Sequence, residues 1–181
     1  INELVETLQR WPWLDTARTL RERFREDRLG LTASSLTFTT LIALVPLVES
    51  SLNPFASGPA GAAGLWQIMP ATGSHLGLER NRGFDGRKDL LDSTTVALDY
   101  LETLHKEFDD DWLLALAAYN SGAGNVARAR EANKAKGLET DFWSLKLPGH
   151  TREYVPKVIA LAQILADPER FDVEIPSVEN A

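Results

Sequence analysis

Across 181 residues the chain holds 44% hydrophobic and 25% charged side chains, with a formal charge of -7 and a pI near 5.0. That length suits one domain built on one core, and the acidic balance excludes the basic face that a nucleic-acid partner requires. The absence of cysteine removes disulfides, thiol nucleophiles and thiolate metal sites together.

Residues 2–10 carry Leu4, Val5 and Leu8 on one helical face, and Trp11-Pro12-Trp13 interrupts them. A second amphipathic helix fits Asp15 to Asp27, with Ala17, Leu20 and Phe24 on its apolar side and a solvated Arg/Glu face opposite. Thr32 is positioned to cap a third helix that runs through an apolar stretch to Glu49, with Pro46 bending or breaking it near its end and Asn53-Pro54 closing it. The apolar stretch, Leu36 to Val48, falls short of the about 20 residues that a spanning helix needs, so it reads as a buried helix and not a membrane span. The chain opens at Ile1 without a methionine, as expected of a processed or excised segment.

Residues 57–64, SGPAGAAG, read as a loop whose glycines permit unusual backbone conformations. Pro70 and Thr72 suit the start of a short helix, residues 92–108 form a long helical pattern, and residues 112–120 form a fully buried one. Further helices fit 125–135 and 150–166, the last with Pro156 in its first turns. No run alternates at period two, so the expected fold is mainly α.

Glu49 is the first candidate for chemistry. A carboxyl beside Leu44, Val45, Leu47 and Val48 on a buried helix is desolvated, which raises its pKa toward the range of a general acid working near neutrality. The plain alternative is a solvated glutamate at a helix end. The GxG of NSGAGNV at 120–126 has no preceding strand and no following Lys-Ser/Thr, so it reads as a turn and not a phosphate cradle. His75, His105 and His150 are scattered, and no metal or other cofactor is expected. Trp66, Phe84, Trp112 and Trp143 could stack on a sugar face, although core packing is the usual role of such residues.

Four stretches occur in order: Glu49-Ser50, Gly64-Leu65-Trp66-Gln67, Ala118-Tyr119-Asn120 and Thr151-Arg152-Glu153-Tyr154-Val155. With the surrounding NPFA, GAAGLWQIMPATG, DGRKD and WLLALAAYNSGAGNV, this order resembles the lytic murein transglycosylases, nearest the membrane-bound type D branch. The resemblance implies a lysozyme-like (goose-type/SLT) helical domain over residues 41–171, followed by a tail at 172–181. It implies cleavage of the MurNAc–GlcNAc β-1,4 bond of peptidoglycan glycan strands with 1,6-anhydroMurNAc formation, with Glu49 as the single acid and then base. Ser50 would hydrogen-bond beside it, Trp66, Gln67, Tyr119 and Asn120 would shape the sugar subsites, and Tyr154 would bring a hydroxyl near the carboxylate. Trp66 stands where many relatives have Met, and is the aromatic expected to face a sugar. Taken singly, Gln67 could be a polar turn residue and Tyr119 and Tyr154 core packing. A lysozyme-type hydrolase and a non-catalytic glycan-binding domain are the alternatives on the same fold.

Residues 11–48 resemble a different group, the opening of the YihY/BrkB family of polytopic inner-membrane proteins, as though two families joined at ALVPLV. A mosaic chain is implied, in which residues 1–40 are an N-terminal helical segment packing imperfectly on the domain. The resemblances together imply a bacterial cell-envelope location, in the periplasm or at the outer membrane, and a monomer.

Overall fold

The computed structural model describes residues 38–174. The helices expected at 2–10 and 15–27, the Thr32 cap and the imperfect packing of residues 1–40 lie outside or largely outside this range. Within it, six helices carry the chain: α1 Phe38–Ser50, α2 Pro70–His75, α3 Leu90–Glu107, α4 Trp112–Ser121, α5 Ala123–Lys134 and α6 Gly149–Ala166. Short 3-10 turns occupy Pro59–Gly61 and Glu169–Phe171, and the described residues contain isolated β-bridges but no strand.

α4 explains the architecture. Its residues Leu114 to Ala118 are all buried, so it has no polar face and must be enclosed by other helices. It is packed on by α3, α5 and α6, while α1 lies along α6. The small side chains Ala115, Ala117 and Ala118 let neighbouring backbones approach it closely. Leu44 and Val45 from α1, Leu101 and Leu104 from α3, and Val155, Val158 and Ile159 from α6 complete one core.

Aspartates set two helix starts. Asp89 accepts hydrogen bonds from the Leu91 and Asp92 amides, which begins α3 two residues before its expected start at Asp92, and Asp111 does the same for α4 through Leu113 and Leu114. α5 also begins earlier than the expected Asn125. Gly122, at φ +89, ends α4 with its amide on the Ala118 carbonyl and starts α5 at once. Only a residue without a Cβ turns there without strain.

Of the two alternatives expected at Pro46, bending or breaking, α1 excludes the break, since it runs on to Ser50. Pro46 lacks an amide donor, yet Leu44 and Val45 just before it are buried in the core and Leu47 and Val48 just after it pack against that core, which holds the helix in place across that gap. The turn after α1 is tight, with Ser51 and Leu52 both in the left-handed region. Among the described residues no helix is long and apolar enough to cross a membrane.

Candidate active site

Three helix segments and one loop converge on Glu49. The carboxyl stands at the penultimate residue of α1, Tyr154 comes from the second turn of α6, and Tyr119 from the last turn of α4. Glu49 is half-buried, and this desolvation pushes its pKa up from 4.5 to about 7. The Tyr154 hydroxyl has no hydrogen bond of regular geometry, but it lies near enough to the carboxyl to offset part of that rise. Burial, and then the charge of Glu49, raise the hydroxyl pKa of both Tyr119 and Tyr154 well above the ordinary tyrosine value, so both remain proton donors. No other acid among the described residues acts on Glu49.

The raised pKa carries a stability consequence. Between pH 4.5 and 7 the folded protein keeps the Glu49 proton that the unfolded chain has released, so stability falls as pH rises across this window and levels off above it. The burial of the charge then costs on the order of 3 kcal/mol. Glu49→Gln removes the charge while retaining the shape. The variant is expected to melt above the wild type at pH 8, with the gap closing by about pH 4.5; thermal melts across that range test it, and parallel curves would contradict it.

The loop Gly58–Ile68 forms the other wall. Ala63 and Ile68 exchange backbone hydrogen bonds at 3.2 and 3.1 Å, so Gly64-Leu65-Trp66-Gln67 is the four-residue tip of a tight hairpin. The Ser50 hydroxyl donates its one proton to the Leu65 carbonyl at 2.8 Å, with the Pro46 carbonyl a longer alternative acceptor at 3.1 Å. Ser50 therefore ties the tip to α1 instead of bonding to Glu49. The Tyr119 hydroxyl donates to the Trp66 carbonyl at 2.9 Å, and the Gln67 amide nitrogen to the Gly64 carbonyl at 2.8 Å.

Beside this tip lies a cavity of about 330 Å³ whose lining includes Gln67, Met69, Tyr100, Tyr119 and Asn120. Glu49 does not itself line it and acts electrostatically on Tyr119 in its wall. The Asn120 Oδ1 is buried without a hydrogen-bond partner, so an acceptor stands ready for a donor from a ligand. The NSG turn brings Ser121 and Gly122 to the same cavity.

Trp66 corrects the sequence reading. It is 0% exposed, and its indole N–H donates to Thr94 Oγ1 at 2.9 Å, so its ring cannot stack on a sugar. The large ring fills the core while its backbone shapes the site. Among the other aromatics, Phe84 is exposed on a surface loop, Trp112 stacks on His105 at 4.0 Å and Trp143 meets Phe142 edge-on; none of the three lines the cavity. The aromatic that sequence reasoning missed is Tyr100. It lines the cavity 6.0 Å from the Tyr119 ring, and its signal in the sequence was only that of one more residue in a helical pattern.

A glutamate raised to about 7, the buried Tyr154, the partly buried Tyr119 and a cavity with an unpaired acceptor make a candidate acid site on a helical, lysozyme-like fold. The model of the transglycosylase SLT domain matches residues 36–142, and the chain belongs to that family. It is 49% identical over 140 residues to membrane-bound lytic murein transglycosylase D of Escherichia coli strain K12, covering 77% of this chain and 31% of that protein. The chain thus spans about a third of the length of that relative.

Two solved structures share the fold. The 70 kDa soluble lytic transglycosylase of Escherichia coli is 26% identical with a TM-score of 0.54, over 68% of this chain and 21% of that one. The complex of the 70 kDa soluble lytic transglycosylase with bulgecin A is 27% identical with a TM-score of 0.58, over 78% of this chain and 23% of that one. The second likeness is also present: a UPF0761 membrane protein of Methylibium petroleiphilum is 73% identical over 56 residues, 31% of this chain and 14% of that protein. One chain therefore carries similarity to both families.

Proposed function

We propose that residues 41–171 form a catalytic domain that cleaves the MurNAc–GlcNAc β-1,4 bond of peptidoglycan at the bacterial cell envelope and leaves 1,6-anhydroMurNAc ends. The observation that carries this reading is the Glu49 carboxyl, raised to about 7 by burial with no second described acid acting on it. Hydrolytic glycosidases ordinarily divide acid and nucleophile or base roles between two carboxyl groups. Here one group serves in turn. Neutral Glu49 gives its proton to the glycosidic oxygen as the C1–O bond breaks and positive charge develops on the sugar ring. The resulting carboxylate then takes the proton of the C6 hydroxyl while O6 bonds to C1, which closes the anhydro ring and restores the acid. The attacking hydroxyl belongs to the same ring, so its effective concentration exceeds that of water.

The neighbouring residues have separable tasks in this scheme. The Tyr154 hydroxyl, beside the carboxyl, steadies the anion between the two proton transfers. Gln67, Tyr119 and Asn120 hold the glycan in the cavity, with the Asn120 Oδ1 accepting from a sugar N–H or O–H. Ser50 holds the hairpin tip against α1. The name of the relative from Escherichia coli, membrane-bound lytic murein transglycosylase D, supports the same substrate class.

Mass analysis of products released from purified murein sacculi tests the reading. The expected ends are lighter by one water than hydrolysed ends and resist borohydride. Reducing MurNAc ends that take up oxygen from labelled water would favour a lysozyme-type hydrolase instead. Binding without any cleavage would leave a glycan-binding domain.

A further inference from the structure

Gln67 lines the cavity from a costly position. Its backbone is left-handed, at φ +48, a conformation that a non-glycine residue adopts only where its surroundings enforce it. The residues that brace it come from DGRKD, residues 85–89, a stretch to which the sequence assigned no site role. Arg87, only 4% exposed, donates from Nη1 to the Gly61 carbonyl at 2.7 Å and to the Ile68 carbonyl at 2.9 Å. The Ile68 carbonyl is the one that closes the hairpin base by accepting from Ala63. Asp85 holds the other edge of the guanidinium through two bonds, at 2.9 Å from Nε and 2.7 Å from Nη2. The backbone of Arg87 meets the other end of the tip: a Cβ placed on Gly64 would lie 1.7 Å from the Arg87 carbonyl oxygen. One residue thus grips the hairpin at its base and at the first residue of its tip.

Arg87 is buried and its partner Asp85 partly so, and an ion pair withdrawn from water is a poor device for stability alone, since apolar residues of similar volume commonly serve as well. A guanidinium instead offers several donors in one rigid plane, which fixes geometry. We propose that Arg87, oriented by Asp85, is a positioning residue for glycan binding, holding the Gly64–Gln67 tip so that Gln67 faces the cavity. The proposal rests on the glycan-cleaving reading above.

Two variants test it on the full chain, Arg87→Lys and Asp85→Asn, the second retaining the arginine and its bonds to both carbonyls. Steady-state cleavage of soluble glycan strands is expected to show KM raised about tenfold, kcat within about threefold of wild type, and the limb of the pH profile unmoved near 7. Adding Gln67→Ala to Arg87→Lys should raise KM no further than Gln67→Ala does alone, because both act through one side chain. Lower melting temperatures with unchanged KM, or effects on KM that multiply in the double variant, would overturn the proposal. Hydrogen exchange at the Ala63 and Ile68 amides gives a readout independent of turnover. Both should exchange at least about tenfold faster in Asp85→Asn, with α4 amides unchanged. Should the wild type fail to cleave glycan, the functional reading falls while this exchange still decides whether the clamp exists; unchanged exchange overturns the clamp whatever the activity.

Discussion

Replacing Glu49 with Gln is expected to lower turnover of peptidoglycan at least ~10²-fold, because it deletes the proton donor while keeping the shape of the side chain. The fold should survive, since Glu49 makes no ion pair among the described residues and its charge is a cost to the folded state. The wild-type profile supplies a companion check. The acid must be protonated to begin the reaction, so kcat should fall as pH rises through about 7, and the corresponding limb should be missing from any residual activity of the variant. Activity near wild type in Glu49→Gln would remove this residue from the mechanism. A limb near 4.5 would mean that burial does not perturb the carboxyl when substrate is bound.

The second large effect is structural and falls on Gly64. Its φ of +80 disfavours any residue with a Cβ, and that Cβ would sit 1.7 Å from the Arg87 carbonyl oxygen, a backbone atom that cannot swing aside. Left-handed strain of roughly 1–2 kcal/mol adds to an overpacking cost of roughly 1–3 kcal/mol, so Gly64→Ala should lose about 3 kcal/mol within a range of roughly 2–5 kcal/mol. For a chain of this size that corresponds to a fall in melting temperature of roughly 6–12 °C. Gly77→Ala is the control. Gly77 has a similar φ of +83, but its Cβ would meet nothing within 4 Å, so only the strain should register. Equal losses at the two glycines would show that the approach of Arg87 to Gly64 adds nothing.

Local pattern made much of the helical layout legible. α3, α4 and α6 fall close to the ranges that periodicity indicated, because an apolar stripe, or an apolar surface all round, is recorded in nearby residues. The departures have local causes that compete with periodicity. Asp89 starts α3 early by supplying acceptors to its first amides, and Gly122 starts α5 early by turning the chain in one residue. At Pro46 tertiary packing outweighed the missing amide donor, since Leu44 and Val45 just before it are held in the core.

The site was legible in its chemistry but not in its geometry. By itself the sequence determined that a carboxyl ends an apolar helix, that motifs of the SLT family follow it in order, and that the chain bears a second likeness near its start. Only the tertiary structure decided that Trp66 is a core residue, that Tyr100 joins the cavity wall, that Ser50 bonds to Leu65, and that Arg87 and Asp85 brace the hairpin. The physical reason is range. Helix formation and the greasiness around Glu49 depend on neighbours within a few turns, whereas burial, hydrogen-bond partners and the desolvation that sets a pKa depend on residues that only the folded chain brings together.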